Sequence, residues 1–205
     1  VPSSIVPPEV VDTKESVVED TIRLVKKYHD RSRFSMCQVG IAPSIAQYET
    51  EDIIEAVVDL AEEYDIMVHG HLAESQHEVE YTLKTWGCRP FEWFKRHRLL
   101  GKRFYFAHCI HLNEEEIAQM AETGTGVAHC PISNMLLSSG ACPVPSYLEH
   151  GLTRIGLGVD GAASSNSSNM LEEIRCAYLL NRLTWGDKAA TPDDYLYMAT
   201  AGGAK

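Results

Sequence analysis

RFYFAHCIHLNEEEIAQMAETGTGVAHC (103–130) holds one complete repeating unit of the chain. RFYFAHCI (103–110) is a short, mostly apolar run, the pattern of a buried strand. Asn113, with Glu116 three residues later, is the start signal of a capped helix, and Gly124 is its stop. TGVAHC (125–130) is a second strand. Two strands joined by a helix of about ten residues pair in parallel, because a tight turn reverses direction and a crossover does not. Both strands end in histidine, His108 and His129.

The same alternation extends both ways. Upstream, Val18, Ile22 and Val25 form a helical stripe within 14–30, and FSMCQVGIAP (34–43) follows as a strand stopped by Pro43. Residues 50–64 return to helical period with Ile53, Val57, Leu60 and Tyr64 on one face and Thr50 as the expected cap. DIMVHGHLA (65–73) is a strand; Val79, Leu83 and Trp86 mark a helix closed by Gly87. Downstream, a connection rich in Pro, Ser and Gly leads to TRIGLGVD (153–160). Asn169 with Glu172 opens a helix to about Leu183, and Thr191-Pro192 begins another. Five strands are predicted: 34–42, 65–72, 103–109, 125–129 and 154–159. GAASSNSSN (161–169) has linker composition but sits between a strand and a capped helix, so it is expected as an ordered loop. Residues 1–205 are expected to form one α/β unit without an internal boundary.

Composition narrows the function. Lys and Arg total 18 against 29 Asp and Glu, a net charge of −11. That sign disfavours nucleic acid and anionic membranes as partners, since both select a basic face. Apolar content of 44% and charged content of 23% are those of a folded soluble chain. No apolar run approaches a membrane span, and VPSSIVPPEV (1–10) lacks the basic and apolar regions of a signal peptide. The six cysteines form no C-x-x-C, so reduced thiols in a cytoplasmic protein are expected.

Polar residues fall at the ends of strands. His71, His108, His129 and Asp160 close four successive ones. In a parallel α/β sheet or barrel all C-terminal strand ends open onto one face, where catalytic groups gather. Imidazole nitrogen and carboxylate oxygen together suit a divalent metal that keeps a position open for water. Such a metal makes a nucleophile of water at neutral pH. Glu74, three residues after His71, can face the same pocket and move a proton.

HLAES (71–75), AHCIHL (107–112), TGVAHCPISNMLLSSG (125–140) and GLGVDGAASSNSSNML (156–171) resemble the amidohydrolase superfamily. Within it they are similar to the cytosine-deaminase and chlorohydrolase-like branch, most closely to the 8-oxoguanine deaminases. The resemblance runs from the YHD at 28–30 to the AGGAK terminus. It implies a (β/α)₈ TIM-type barrel carrying one divalent metal, zinc or in some members iron. His71 and Asp160 match two metal ligands, Glu74 the glutamate of the HxxE motif, and His108 the non-ligand histidine after strand six. His129 and Asn134 are candidates to line the substrate pocket. The five strands are then barrel strands four to eight. A whole barrel takes roughly 250 residues, so the chain corresponds to the C-terminal part of one. The family's H-x-H after strand one is not matched; His69-Gly70-His71 has that pattern, but HLAE places it after strand five and leaves His69 a packing role. The loop after Asp160 also lacks an acid that 8-oxoguanine deaminases typically carry.

The resemblance implies hydrolytic deamination of a purine-like heteroaromatic ring, of the guanine or 8-oxoguanine type. Metal-bound hydroxide attacks the amine-bearing carbon, Asp160 takes the water's proton, Glu74 protonates the ring nitrogen and His108 stabilises the tetrahedral centre. Two alternatives stand beside it. One is a triazine chlorohydrolase or alkylaminohydrolase with the same machinery; the other is an inactive truncated barrel acting as a binding or self-associating module. The 205-residue chain alone is expected to be inactive, and a homo-oligomer is expected from its open strand edges. Cys109 and Cys130 are expected as structural thiols, His111 just outside the site, and His29, His77, His97 and His150 at the surface.

Overall fold

The computed structural model describes residues 11–32 and 35–205. VPSSIVPPEV and Phe34, at the start of the first predicted strand, lie outside them. Among the described residues four parallel strands form one sheet in chain order: β1 (Val68–Leu72), β2 (Phe104–His108), β3 (Gly126–His129) and β4 (Ile155–Leu157). In register, Leu72 pairs with His108, Ala107 with Ala128 and His129 with Leu157, so the C-terminal ends lie side by side. The fold is α/β, an open part of a (β/α)₈ barrel.

The first predicted strand, 34–42, is not a regular strand. It survives as isolated parallel bridges of Ile41 with Val68 and Ile45 with His71. Ile41 still exchanges backbone hydrogen bonds with β1, accepting from His69 and donating to Met67 O, and Ser44 O accepts from His71. Pro43, lacking an N–H, falls between the bridges and interrupts the ladder. The segment thus lies along β1 as an irregular fifth element.

Helices cover one face of the sheet. α1 (Lys14–Tyr28) precedes the irregular edge and α2 (Glu51–Tyr64) leads into β1. α3 (Gln76–Trp86) and α4 (Pro90–Arg96) follow β1, and α5 (Glu114–Thr123) follows β2. The Pro- and Ser-rich connection after β3 contains two helices missed by periodicity, α6 (Pro131–Leu136) and α7 (Val144–Glu149). Each is only six residues long, too short for a helical repeat to show. α8 (Met170–Trp185) and α9 (Pro192–Tyr197) complete the chain.

Strand alternation explains the layering. In β1, Val68, Gly70 and Leu72 are buried while His69 and His71 are partly open. The buried side meets the helices: Phe106 packs edge-on against Phe94 with ring centroids 4.8 Å apart, inside a core with Ile54, Val58, Ile117 and Tyr147. Several cap signals hold. Asn113 and Glu116 form a reciprocal capping box, and Gly87 and Gly124 end their helices in the left-handed conformation. Others need correction. Thr50 makes no capping bond; its hydroxyl donates to Asp52 at 2.5 Å. Leu83 is exposed, and Glu78 and Thr82 are buried in its place. Asn169 caps through the Leu171 N–H, without Glu172. No helix among the described residues is long and apolar enough to cross a membrane.

Candidate active site

Four side chains gather at the C-terminal ends of the strands. His108 Nε2 lies 3.7 Å from Glu74 Oε1 and 4.0 Å from Asp160 Oδ2. The His71 ring is stacked on that of His108, centroids 5.4 Å apart. Glu74 and His71 from the end of β1, His108 from β2 and Asp160 from just after β4 therefore lie together at one end of the sheet.

Each is oriented by a neighbour. His71 Nδ1 is 2.9 Å from Ser44 O. A carbonyl only accepts, so Nδ1 carries a proton and Nε2 is the nitrogen turned away from Ser44. His108 Nδ1 faces Asn134 Oδ1 at 2.8 Å inside the core. Asp160 accepts from Ser133 Oγ at 2.5 Å, Ser164 Oγ at 3.0 Å and the Gly161 N–H at 2.7 Å. Burial pulls the Asp160 carboxyl upward, but these three bonds and the nearby His108 outweigh it and leave the group below the ordinary carboxylate range.

The backbone at these ends is unusual. Ala73 (φ 50°), His108 (69°), Cys109 (49°) and Asp160 (61°) are left-handed without being glycine. Such residues cost about 1–3 kcal/mol each and persist where neighbours fix them. Here the neighbours are explicit. Cys109 N–H donates to Leu72 O, and the N–H groups of Ile110 and His111 donate to Ala73 O. The carboxylate of Glu78 accepts from the N–H of both Ala73 and Glu74. Arg89 grips Glu116 with Nε at 2.7 Å and Nη2 at 3.0 Å, and reaches His111 O as well.

The remaining candidates fall into place around this centre. Asn134 is fully buried against His108, so it orients that ring. His129 is buried, and its Nδ1 has no partner among the described residues. Burial, with the charge of His108 second, pushes its pKa down to about 3, so the ring is neutral. His69 stacks on Tyr105 at 4.6 Å, a packing role. His111 Nε2 meets Ser139 O at 2.7 Å, pinning the loop after β3. His97 is not a free surface residue; it packs on Trp93 at 4.2 Å. All six cysteines are free. Burial raises Cys109 well above the usual thiol range and Cys130 to about 12, so neither is a nucleophile at neutral pH. Ser44, Ser133, Ser164 and Glu78 were missed from the sequence. Serine near a strand end carries no signal of its own, and Glu78 is hidden as one more acid in a helix's first turn.

The donors suit a divalent metal by type: an imidazole whose second nitrogen is fixed by a carbonyl, and a hydrogen-bonded carboxylate. Among the described residues, no three His, Cys, Asp or Glu side chains are grouped to hold an ion by themselves. His71 and Asp160 are of ligand type, and on their own they do not make a site.

Parallel strands whose C-terminal ends bring two histidines and two carboxylates together place them where α/β barrels carry their catalytic groups. The chain belongs to the amidohydrolase family, which matches residues 3–205. It is 40% identical over 199 residues to the 8-oxoguanine deaminase of Pseudomonas aeruginosa, covering 97% of this chain and 44% of that protein. It is 44% identical over 153 residues to a 5-methylthioadenosine/S-adenosylhomocysteine deaminase of Desulforudis audaxviator, with 74% and 35% covered. Among solved structures it is similar to the zinc-complexed atrazine chlorohydrolase of Arthrobacter aurescens, with TM-score 0.90, 28% identity, and 95% and 43% covered. The chain spans less than half the length of each.

Proposed function

We propose that residues 1–205 supply one part of a metal-dependent aminohydrolase barrel that deaminates a purine-like heteroaromatic ring. The observation that carries this reading is His108 Nε2 lying between the carboxylates of Glu74 and Asp160, with His71 stacked beside it. Two deaminases of purine compounds among its relatives support it.

A divalent ion, zinc by analogy with the chlorohydrolase, would be held in part by His71 and Asp160 and would make bound water acidic enough to react at neutral pH. Asp160, ionised and anchored by three donors, receives the proton of the attacking water. Glu74 delivers a proton to the ring nitrogen next to the carbon under attack. His108, held through Asn134, would orient the attacking oxygen and stabilise the tetrahedral centre formed at the ring carbon. The carbon–nitrogen bond then breaks as the amine takes up the proton held by Asp160 and leaves as ammonia. The hydroxyl proton returns to Glu74, and the ring keeps the water's oxygen as a carbonyl. His129 and Asn134 shape the wall behind His108. Small heteroaromatic substrate and water are the partners, and the strand edges support assembly into a homo-oligomer.

The structural likeness to the chlorohydrolase supports a second reading, displacement of chloride from a triazine. One assay separates the two. The zinc-loaded protein containing this chain is offered 8-oxoguanine, guanine, 5-methylthioadenosine and atrazine, while ammonia and chloride are both measured. Ammonia from a purine, abolished by Glu74→Gln, is the expected result. Chloride from atrazine with no ammonia from any purine would replace deamination with the second reading.

A further inference from the structure

We propose that Glu78 is a positioning residue of this site: its carboxylate clamps the backbone of Ala73 and Glu74 and so aims the Glu74 side chain at His108. The inference rests on the reading that Glu74 works in the pocket.

Glu78 stands third in α3, the position from which a glutamate ordinarily reaches back to the N–H of the capping residue. Glu116 does so in α5, accepting from the Asn113 N–H at 2.8 Å. Glu78 does not. Ser75 caps α3 by accepting from the Glu78 N–H at 3.2 Å, while the Glu78 carboxylate passes Ser75 and reaches further toward the strand. Oε1 accepts from Ala73 N–H at 3.1 Å and Oε2 from Glu74 N–H at 2.8 Å. Two successive N–H groups converging on one anion form a nest, and the left-handed Ala73 (φ 50°) lies at its base. Ala73 O in turn accepts from Ile110 and His111, so the same clamp ties the loop after β1 to the one after β2, which begins at His108.

Glu78 is fully buried. Burying a carboxylate is costly, and a helix already capped by serine gains little from it. Glutamine would match its shape but offers one acceptor for two donors, with its own NH₂ turned against the second N–H. The residue type therefore follows from the two N–H groups of the site loop, and helix capping does not require it. Burial raises the Glu78 carboxyl to about 7, against the pull of the two backbone bonds, so the position is costly and is held by those contacts.

The test compares Glu78→Gln, the isosteric variant, with Glu78→Ala in two measurements. In the 205-residue chain, amide hydrogen exchange is followed at Ala73 and Glu74, with Asn113 as internal control, and the His108 ring nitrogen is followed by NMR. We expect Glu78→Gln to stay folded, to lose about tenfold protection at Ala73 or Glu74, and to shift the His108 signal, with Asn113 unchanged. In the zinc-loaded protein containing the chain, kcat falls about tenfold or more with KM nearly constant, and the pH profile of kcat moves. A folded Glu78→Gln protein with wild-type exchange at both amides and an unmoved His108 signal would overturn the proposal, as would unchanged kcat and pH profile. If the wild-type protein deaminates nothing, the deaminase reading fails, and the exchange and NMR measurements alone decide the role of Glu78.

Discussion

His108 is held on both sides of its ring, Nδ1 by the buried Asn134 and Nε2 facing two carboxylates. Asn134→Ala removes the acceptor and leaves Nδ1 without a partner inside the core, a loss of about 1–3 kcal/mol. Urea unfolding should show a lower midpoint with unchanged slope, and an unshifted midpoint would mean the bond contributes nothing. His129 makes a different prediction. Its pKa, driven by burial to about 3, lies below the roughly 6.5 of an unfolded histidine. The unfolded state binds the proton more tightly, so this contribution is complete above about pH 6.5 and drains away as pH falls toward 3. The full effect is about 5 kcal/mol. Measured from pH 7 to 4, His129→Gln should lose stability less steeply than wild type; an equally steep loss would place the acid sensitivity elsewhere. Both histidines were legible in the sequence as strand ends. The residues that orient the site were less so: Ser44 and Ser133 gave no signal, and Asn134, read as a pocket-lining candidate, sits on the short helix α6, where it holds His108.

At the scale of elements, apolar stripes recovered α1 and α2, and cap signals recovered α5 and α8. Periodicity failed for α6 and α7, which are single short turns rich in Pro and Ser, and for 34–42, where Pro43 breaks an edge ladder. It also could not separate two glutamates in equivalent positions, Glu116 closing a capping box and Glu78 bypassing one. Their difference is energetic as well as geometric. Glu78, raised by burial to about 7, holds its proton better folded than unfolded. Its contribution is therefore full below about pH 4.5 and falls as pH rises to 7, by about 3 kcal/mol. The difference in unfolding free energy between wild type and Glu78→Gln should change by that order between pH 5 and 8, favouring wild type at the acid end. A pH-independent difference would show that Glu78 is not the titrating group.

The whole molecule follows from an open sheet. Tyr105, Gly126, Ala128, Gly156 and Leu157 line a basin of about 810 Å³ on the side away from the helices. Near β4 the C-terminal turn packs so closely that a β-carbon on Gly156 would sit 2.9 Å from Gly203 Cα, while the edge at Ile41–Ile45 pairs only through bridges. A site with two metal ligands from this chain should bind zinc weakly, so dialysis should strip the 205-residue chain of metal. One tightly retained zinc per chain would require further ligands in it. The open basin and the broken edge ladder both favour contact with a second copy. The net charge of −11 opposes that contact by mutual repulsion. Added salt screens the repulsion and leaves apolar attraction intact, so association should strengthen with ionic strength. Sedimentation at micromolar concentration in low and high salt measures this directly. A mass that grows with protein concentration, and more so in high salt, is the expected result. A monomer unchanged in both would show that the helices and the C-terminal turn cover enough of the open sheet to make a second copy unnecessary.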